Sequence, residues 1–168
     1  MNKSRQGSNK IPSTLIGSAG EHLVLSRLLR RGMRAGLSPA GTPEVDILVV
    51  DEIANVQVGL QVKTRTRGTD GGWHLQKRHE EIRSRRIVYV LVDFQPEHPS
   101  CYVIPSTVVA DVVRKSHAAW LSTPGKGGRR HSQTDMRRIL PRYPFRVPGV
   151  KDGWLDEYRE KWDLLTTH

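Results

Sequence analysis

The sequence predicts an α/β protein, a central mixed β-sheet flanked by helices, and three patterns carry that expectation. Residues 15–31 set Leu15, Ala19, Leu23, Leu25, Leu28 and Leu29 at the spacing of an amphipathic helix. In residues 56–64, Val56, Val58, Leu60 and Val62 alternate with Gln57, Gly59, Gln61 and Lys63, the period of a strand with one apolar face. Residues 87–94 and 101–104 are short apolar runs, strands separated by Pro96 and Pro99. Helical and strand patterns interleaved in this way require a sheet covered by helices.

Each remaining element follows from local chemistry. Gly32 stops the first helix just past Arg30 and Arg31, cations that suit a helix C-terminus. A short strand follows at 33–37, and the β-branched run 45–50, entered through Pro43, makes another. The polar residues 51–55 turn that strand back on 56–64 as a hairpin, and 66–72 form a glycine-containing loop. Ser106 is expected to cap a helix that runs to about Trp120. Residues 124–146 hold seven Lys/Arg against one acid, with no apolar period, and read as a basic loop. Residues 152–165 place Trp154, Leu155, Tyr158, Trp162 and Leu165 mostly on one face of a final helix. The chain divides into a basic flexible arm (1–12, with Lys3, Arg5 and Lys10), an α/β core (13–120), and the basic loop and C-terminal helix appended to it (121–168).

Bulk properties narrow the partners. The 168 residues suffice for one compact domain. Lys and Arg total 27 against 17 acids, and the net charge of +10 favours a polyanion such as nucleic acid. The single cysteine, Cys101, excludes an internal disulfide and a cysteine-rich zinc site, and its apolar setting suits a small core residue. The polar first residues lack a secretory signal, and no run approaches the roughly 20 apolar residues of a membrane span. A cytoplasmic protein without membrane contact is expected.

The chemistry concentrates at Asp46, Gln61 and Lys63. Gln61 and Lys63 share the polar face of their strand, about 7 Å apart. In an antiparallel hairpin Asp46 falls beside them, so a carboxylate, an amide oxygen and an ammonium converge. Glu44 is expected to face away from Asp46. Hydrolysis of an anionic phosphodiester needs a divalent metal that neutralises charge and acidifies a bound water. Mg²⁺ accepts hard oxygen ligands and keeps several waters, so Asp46, Gln61 and the backbone carbonyl of Val62 can suffice. Lys63 would then stabilise developing charge or orient the water. A plain Asp46–Lys63 salt bridge explains the same residues without a metal.

The string Val45-Asp46-Ile47-Leu48-Val49, followed by Gln61-Val62-Lys63-Thr64, resembles the signature of the PD-(D/E)xK, or restriction-endonuclease-like, superfamily. Gly17-Ser18-Ala19-Gly20-Glu21 is similar to the helix that brings an auxiliary Glu to the site in Holliday-junction resolvases and their relatives. The resemblance spans about residues 16–94 and implies a restriction-endonuclease-like core with metal-dependent DNA nuclease activity. It also implies Mg²⁺ or Mn²⁺ as cofactor, and a catalytic set of Glu21, Asp46, Gln61 and Lys63 in which Glu21 assists in holding metal. A homodimer that cuts two strands is compatible with it. Gln61 stands where Asp or Glu is usual, which removes one negative charge. A catalytically weak or inactive DNA-binding protein on the same fold is the alternative.

DNA contacts are expected from Arg65 and Arg67 beside the triplet, from Lys77, and from Lys126, Arg129, Arg130, Arg137 and Arg138 in the basic stretch. Trp73 either stacks on an unpaired base or caps the edge of the core.

Overall fold

The computed structural model describes residues 11–50, 56–67 and 71–166. The basic arm expected over 1–12 lies outside them except for Ile11 and Pro12, and the turn expected at 51–55 lies wholly outside. Helix α1 covers Ser13–Leu29 and stops where Gly32 takes φ +77°. Strands β1 (Arg34–Leu37), β2 (Ile47–Val50) and β3 (Val56–Arg65) follow. Then come β4 (Trp73–Gln76) and a 3-10 turn at Lys77–Glu80. Strands β5 (Ile87–Asp93) and β6 (Ser100–Pro105) lead into α2 (Ser106–Ser122), and β7 (Met136–Ile139) comes last. No helix among the described residues is long and apolar enough to cross a membrane.

Among the described residues, five strands form one mixed sheet in the order β1-β2-β3-β5-β6. Only the β3–β5 pair is parallel. Its crossover carries β4, which pairs with β7 as a separate two-stranded antiparallel ribbon. Both faces of the main sheet are covered. On one face Val24 and Leu28 of α1 pack against Ile47, Leu60, Val62 and Val90, joined by Trp162 and Leu165. On the other, Tyr89 and Leu91 pack with α2, the ribbon and Trp154. Strand β5 is apolar up to its last residue, Asp93, because alternate residues enter opposite cores. Full burial of one such side chain contributes about 1.5–3 kcal/mol.

Three sequence expectations need correction. First, 124–146 is not an open loop: β7 lies within it and pairs residue by residue with β4. Second, 152–165 is not one helix but two 3-10 turns, Asp156–Tyr158 and Trp162–Leu165, separated by Glu160 at φ +53°. Glu160 accepts from the Cys101 N–H at 2.9 Å, from Trp162 Nε1 at 2.8 Å and from Arg27, while its own N–H donates to Cys101 O at 2.8 Å. These ties to β6 outweigh helical propensity. The apparent amphipathic face is two anchors, Trp154 and Leu155 in one core and Trp162 and Leu165 in the other. Third, Ser106 is the first residue of α2 rather than its cap, with Oγ donating to Ser84 O at 2.8 Å.

Candidate active site

Strand β2 and the residues before it bring the first carboxylate into place. The last β2–β3 ladder pair is Ile47 with Leu60. Beyond it the Val62 N–H donates to Asp46 Oδ2 at 2.7 Å, and Gln61 Nε2 donates to the same oxygen at 2.5 Å. Asp46 and Gln61 therefore meet on one face of the sheet, as the alternation requires. A side chain at Gly59 would press on Val45 Cγ2 at 2.8 Å, so glycine there lets residues 44–46 lie against β3.

Lys63 is half-buried next to this pair. Burial pushes its ammonium below the usual lysine range, and the nearby carboxylates of Asp46, Glu44 and Glu21 partly oppose that shift. Glu21 comes from the opposite layer. Helix α1 approaches β3 most closely at Gly20, where any side chain would collide with Thr64 Oγ1. The neighbouring Glu21 is thereby held near enough to Asp46 and Lys63 to feel both charges. Burial raises its pKa, and the Asp46 carboxylate adds to that rise. All four sequence-derived residues, Glu21, Asp46, Gln61 and Lys63, are brought together.

The structure adds a group that sequence reasoning placed wrongly. Glu44 does not face away: it joins Asp46 in the field at Lys63. Glu44 takes φ +58°, uncommon for a residue with a side chain. Its Oε1 pairs with Arg78 Nε at 2.6 Å, and its Oε2 is buried without a hydrogen bond. His79, fully buried, lies 3.6 Å from that oxygen and 2.6 Å from the Tyr89 hydroxyl. Burial, then the charges of Lys63 and Arg78, hold the imidazole down at about 4, so it is neutral near pH 7. Nothing in the local sequence singles out Arg78 or Tyr89 as neighbours of Lys63.

Several residues expected to contact DNA serve the interior instead. Arg65 pairs with Asp93 at 2.6 Å, both buried, and its guanidinium lies 4.0 Å over the Trp73 ring. Trp73 is wholly buried and donates Nε1–H to Val92 O at 2.8 Å, so it caps the core and stacks on no base. Arg137 is 3% exposed, pairs with Glu80 and donates to Thr134 O at 2.6 Å. In each case the guanidinium or indole is closed off by a short strand that sequence analysis missed. Arg67, Lys77, Lys126, Arg129 and Arg130 are exposed, and Arg138 is half-buried.

The fold is an α/β core, a mixed five-stranded sheet covered on both faces. Among solved structures the chain is similar to a bacterial homing endonuclease, I-Ssp6803I, at 15% identity over 92% of each chain, with a TM-score of 0.51. No family profile and no curated protein matches it. At this identity the likeness speaks to the fold alone.

Proposed function

We propose that this chain is a metal-dependent nuclease that hydrolyses phosphodiester bonds of DNA, with a QxK variant of the PD-(D/E)xK site. The observation that carries the reading is the convergence of Asp46, Gln61, Lys63 and Glu21 at one end of β3. The donor set fits a hard divalent cation such as Mg²⁺ or Mn²⁺. Burial raises the pKa of Glu21, and the charge of Asp46 adds to that rise, a repulsion that a cation relieves. Asp46 and Glu21 would hold it, with the Gln61 side-chain oxygen and the Val62 carbonyl as further oxygens. Among the described residues no cluster of three His, Cys, Asp or Glu forms a ready cage, so water must complete the coordination. When bound, the ion supplies charge neutralisation at the phosphate and a more acidic water.

The protein groups have separable tasks. The Val62 N–H fixes the Asp46 carboxylate through Oδ2. Lys63, partly desolvated, offers positive charge where the phosphorane gains negative charge, and it acts more strongly there than in water. Glu44 and Arg78 border Lys63 on the ribbon side. The test is nicking of plasmid DNA with Mg²⁺ or Mn²⁺ by the wild type and by Asp46→Asn and Lys63→Met, each checked for folding. Both variants should lose about 10²–10⁴-fold in rate. Undiminished cleavage in both removes the assignment.

One observation favours a second reading, an inactive DNA-binding protein on the same fold. The Gln61 amide donates to Asp46, so its nitrogen occupies a carboxylate oxygen that a cation would otherwise take. Gln61→Glu separates the two readings. Cleavage that appears only in that variant marks a decayed site, and cleavage already present in the wild type marks a working one.

A further inference from the structure

The β4–β7 ribbon has one face in the core and one in solvent. Along β4, Trp73 and Leu75 are buried while His74 and Gln76 are exposed. Along β7, Arg137 and Ile139 are buried, Met136 is exposed and Arg138 is half-exposed. The register matches like with like: Trp73 opposes Ile139, Leu75 opposes Arg137, His74 opposes Arg138, and Gln76 opposes Met136. The outer face is therefore a two-by-two patch of imidazole, guanidinium, amide and thioether.

This ribbon is rigidly tied to the candidate active site. It packs in the core on the side of the main sheet that Tyr89 and Leu91 share. Gln76 runs directly into the 3-10 turn Lys77–Glu80, where Arg78 grips Glu44 and His79 lies against Tyr89. Buried Arg137 pairs with Glu80 of the same turn, and the Lys77 N–H donates to Asp135 O at 2.7 Å. A few residues of extended chain span about 10–14 Å. That is well under the roughly 34 Å of one B-DNA turn, so the ribbon and the residues that border Lys63 lie within the reach of one duplex turn.

We infer that the outer face of the β4–β7 ribbon enters the major groove of duplex DNA and reads bases, through Gln76 and Arg138 with Met136 as the apolar contact. The inference rests on the DNA-cleaving reading above and supplies its specificity element. The groove is about 12 Å wide and admits a two-stranded ribbon. Arginine matches the acceptor pair on guanine, glutamine matches the donor and acceptor on adenine, and an apolar side chain meets the thymine methyl. Met136, 54% exposed, gains a partner in this way. Charge agrees: the chain carries +10, Lys77 adjoins one end of the ribbon, and exposed Arg129 and Arg130 precede the other strand.

The test is selection of bound duplexes from a randomised pool by the full chain in chelator, where nothing is cut. It is repeated with Gln76→Ala, Met136→Ala and Arg138→Ala, each checked for folding by circular dichroism. The wild type should enrich a short preferred sequence. Each ribbon variant should keep binding yet relax preference at one position by about 5–100-fold. Gln76→Ala and Met136→Ala should leave the salt dependence of binding unchanged, because neither removes a phosphate contact. Should Arg138→Ala fail to fold, these two carry the test. Wild-type preference retained in folded variants overturns the inference and leaves the nuclease reading standing. A wild type that binds duplex without preference does the same, and one that binds no duplex overturns both.

Discussion

Lys63 and Arg65 are two cations, two residues apart, on the same face of β3, and the fold treats them oppositely. Arg65 is closed in by its buried Asp93 partner, the Gly71 carbonyl and the Trp73 ring. Lys63 stays half-buried among the fields of Asp46, Glu44 and Glu21, and burial dominates its pKa. The first arrangement satisfies a charge so that the ribbon can dock on the sheet. The second concentrates charge of both signs at one spot, as the proposed phosphate chemistry would require. On that proposal one strand carries a structural cation and a functional one. Their neighbours distinguish them, and their residue types do not.

Exchanging the two roles should expose the difference most strongly. Arg65→Met leaves Asp93 buried and unpaired and should cost about 3–5 kcal/mol in urea unfolding. Lys63→Met should hold or gain stability, since it removes a desolvated charge, while nicking falls by orders of magnitude. Equal destabilisation in both variants breaks the comparison. Gly20→Ala comes next. The added methyl collides with Thr64 Oγ1 and should cost about 1–3 kcal/mol, and by lifting α1 from β3 it should also slow cleavage through Glu21. Gly17→Ala, in the same helix with open space around it, is the control: it should stabilise by about 0.5–1 kcal/mol and leave cleavage unchanged.

The surroundings of Lys63 set a pH dependence. His79 titrates at about 4 in the folded chain against an ordinary value near 6.5. The unfolded chain therefore takes up a proton first as pH falls, so the native state loses stability between about pH 6.5 and 4 and nothing above that range. Urea midpoints across this window should fall in the wild type and fall less steeply in His79→Gln. The smallest effect is expected at Glu44. Glu44→Gly relieves the left-handed backbone and the unbonded buried oxygen, and should stabilise by about 1 kcal/mol. It should at the same time lower cleavage, because Lys63 loses a flanking carboxylate. A gain in both would place Glu44 outside the working site.

The placement of the candidate residues was legible where alternation was long enough to set a face. Ten residues of β3 fix which side Gln61 and Lys63 share, and the neighbouring strand brings Asp46 to them. The register of α1 on β3 was hinted at only by a glycine before a glutamate. Strands β4 and β7 have four residues each, and two of the inward positions are Trp73 and Arg137, which composition reads as nucleic-acid contacts. Their burial depends on Val92 and Glu80, distant in sequence, so no local pattern shows it. The C-terminal segment misleads for a related reason. Its apolar spacing suits a helix, yet Glu160 is held by β6 and Arg27, and the aromatics on either side enter different cores.

The proposed activity requires Asp46, Glu21 and the side chain of Gln61 to share one cation. A crystal soaked in Mn²⁺, read by anomalous scattering, locates the ion directly. A peak in contact with Asp46 and Glu21, with the Gln61 amide turned to present its oxygen, is the expected result. An empty spot with the amide still donating to Asp46, in protein that cuts DNA, would contradict the assignment and move the chemistry elsewhere.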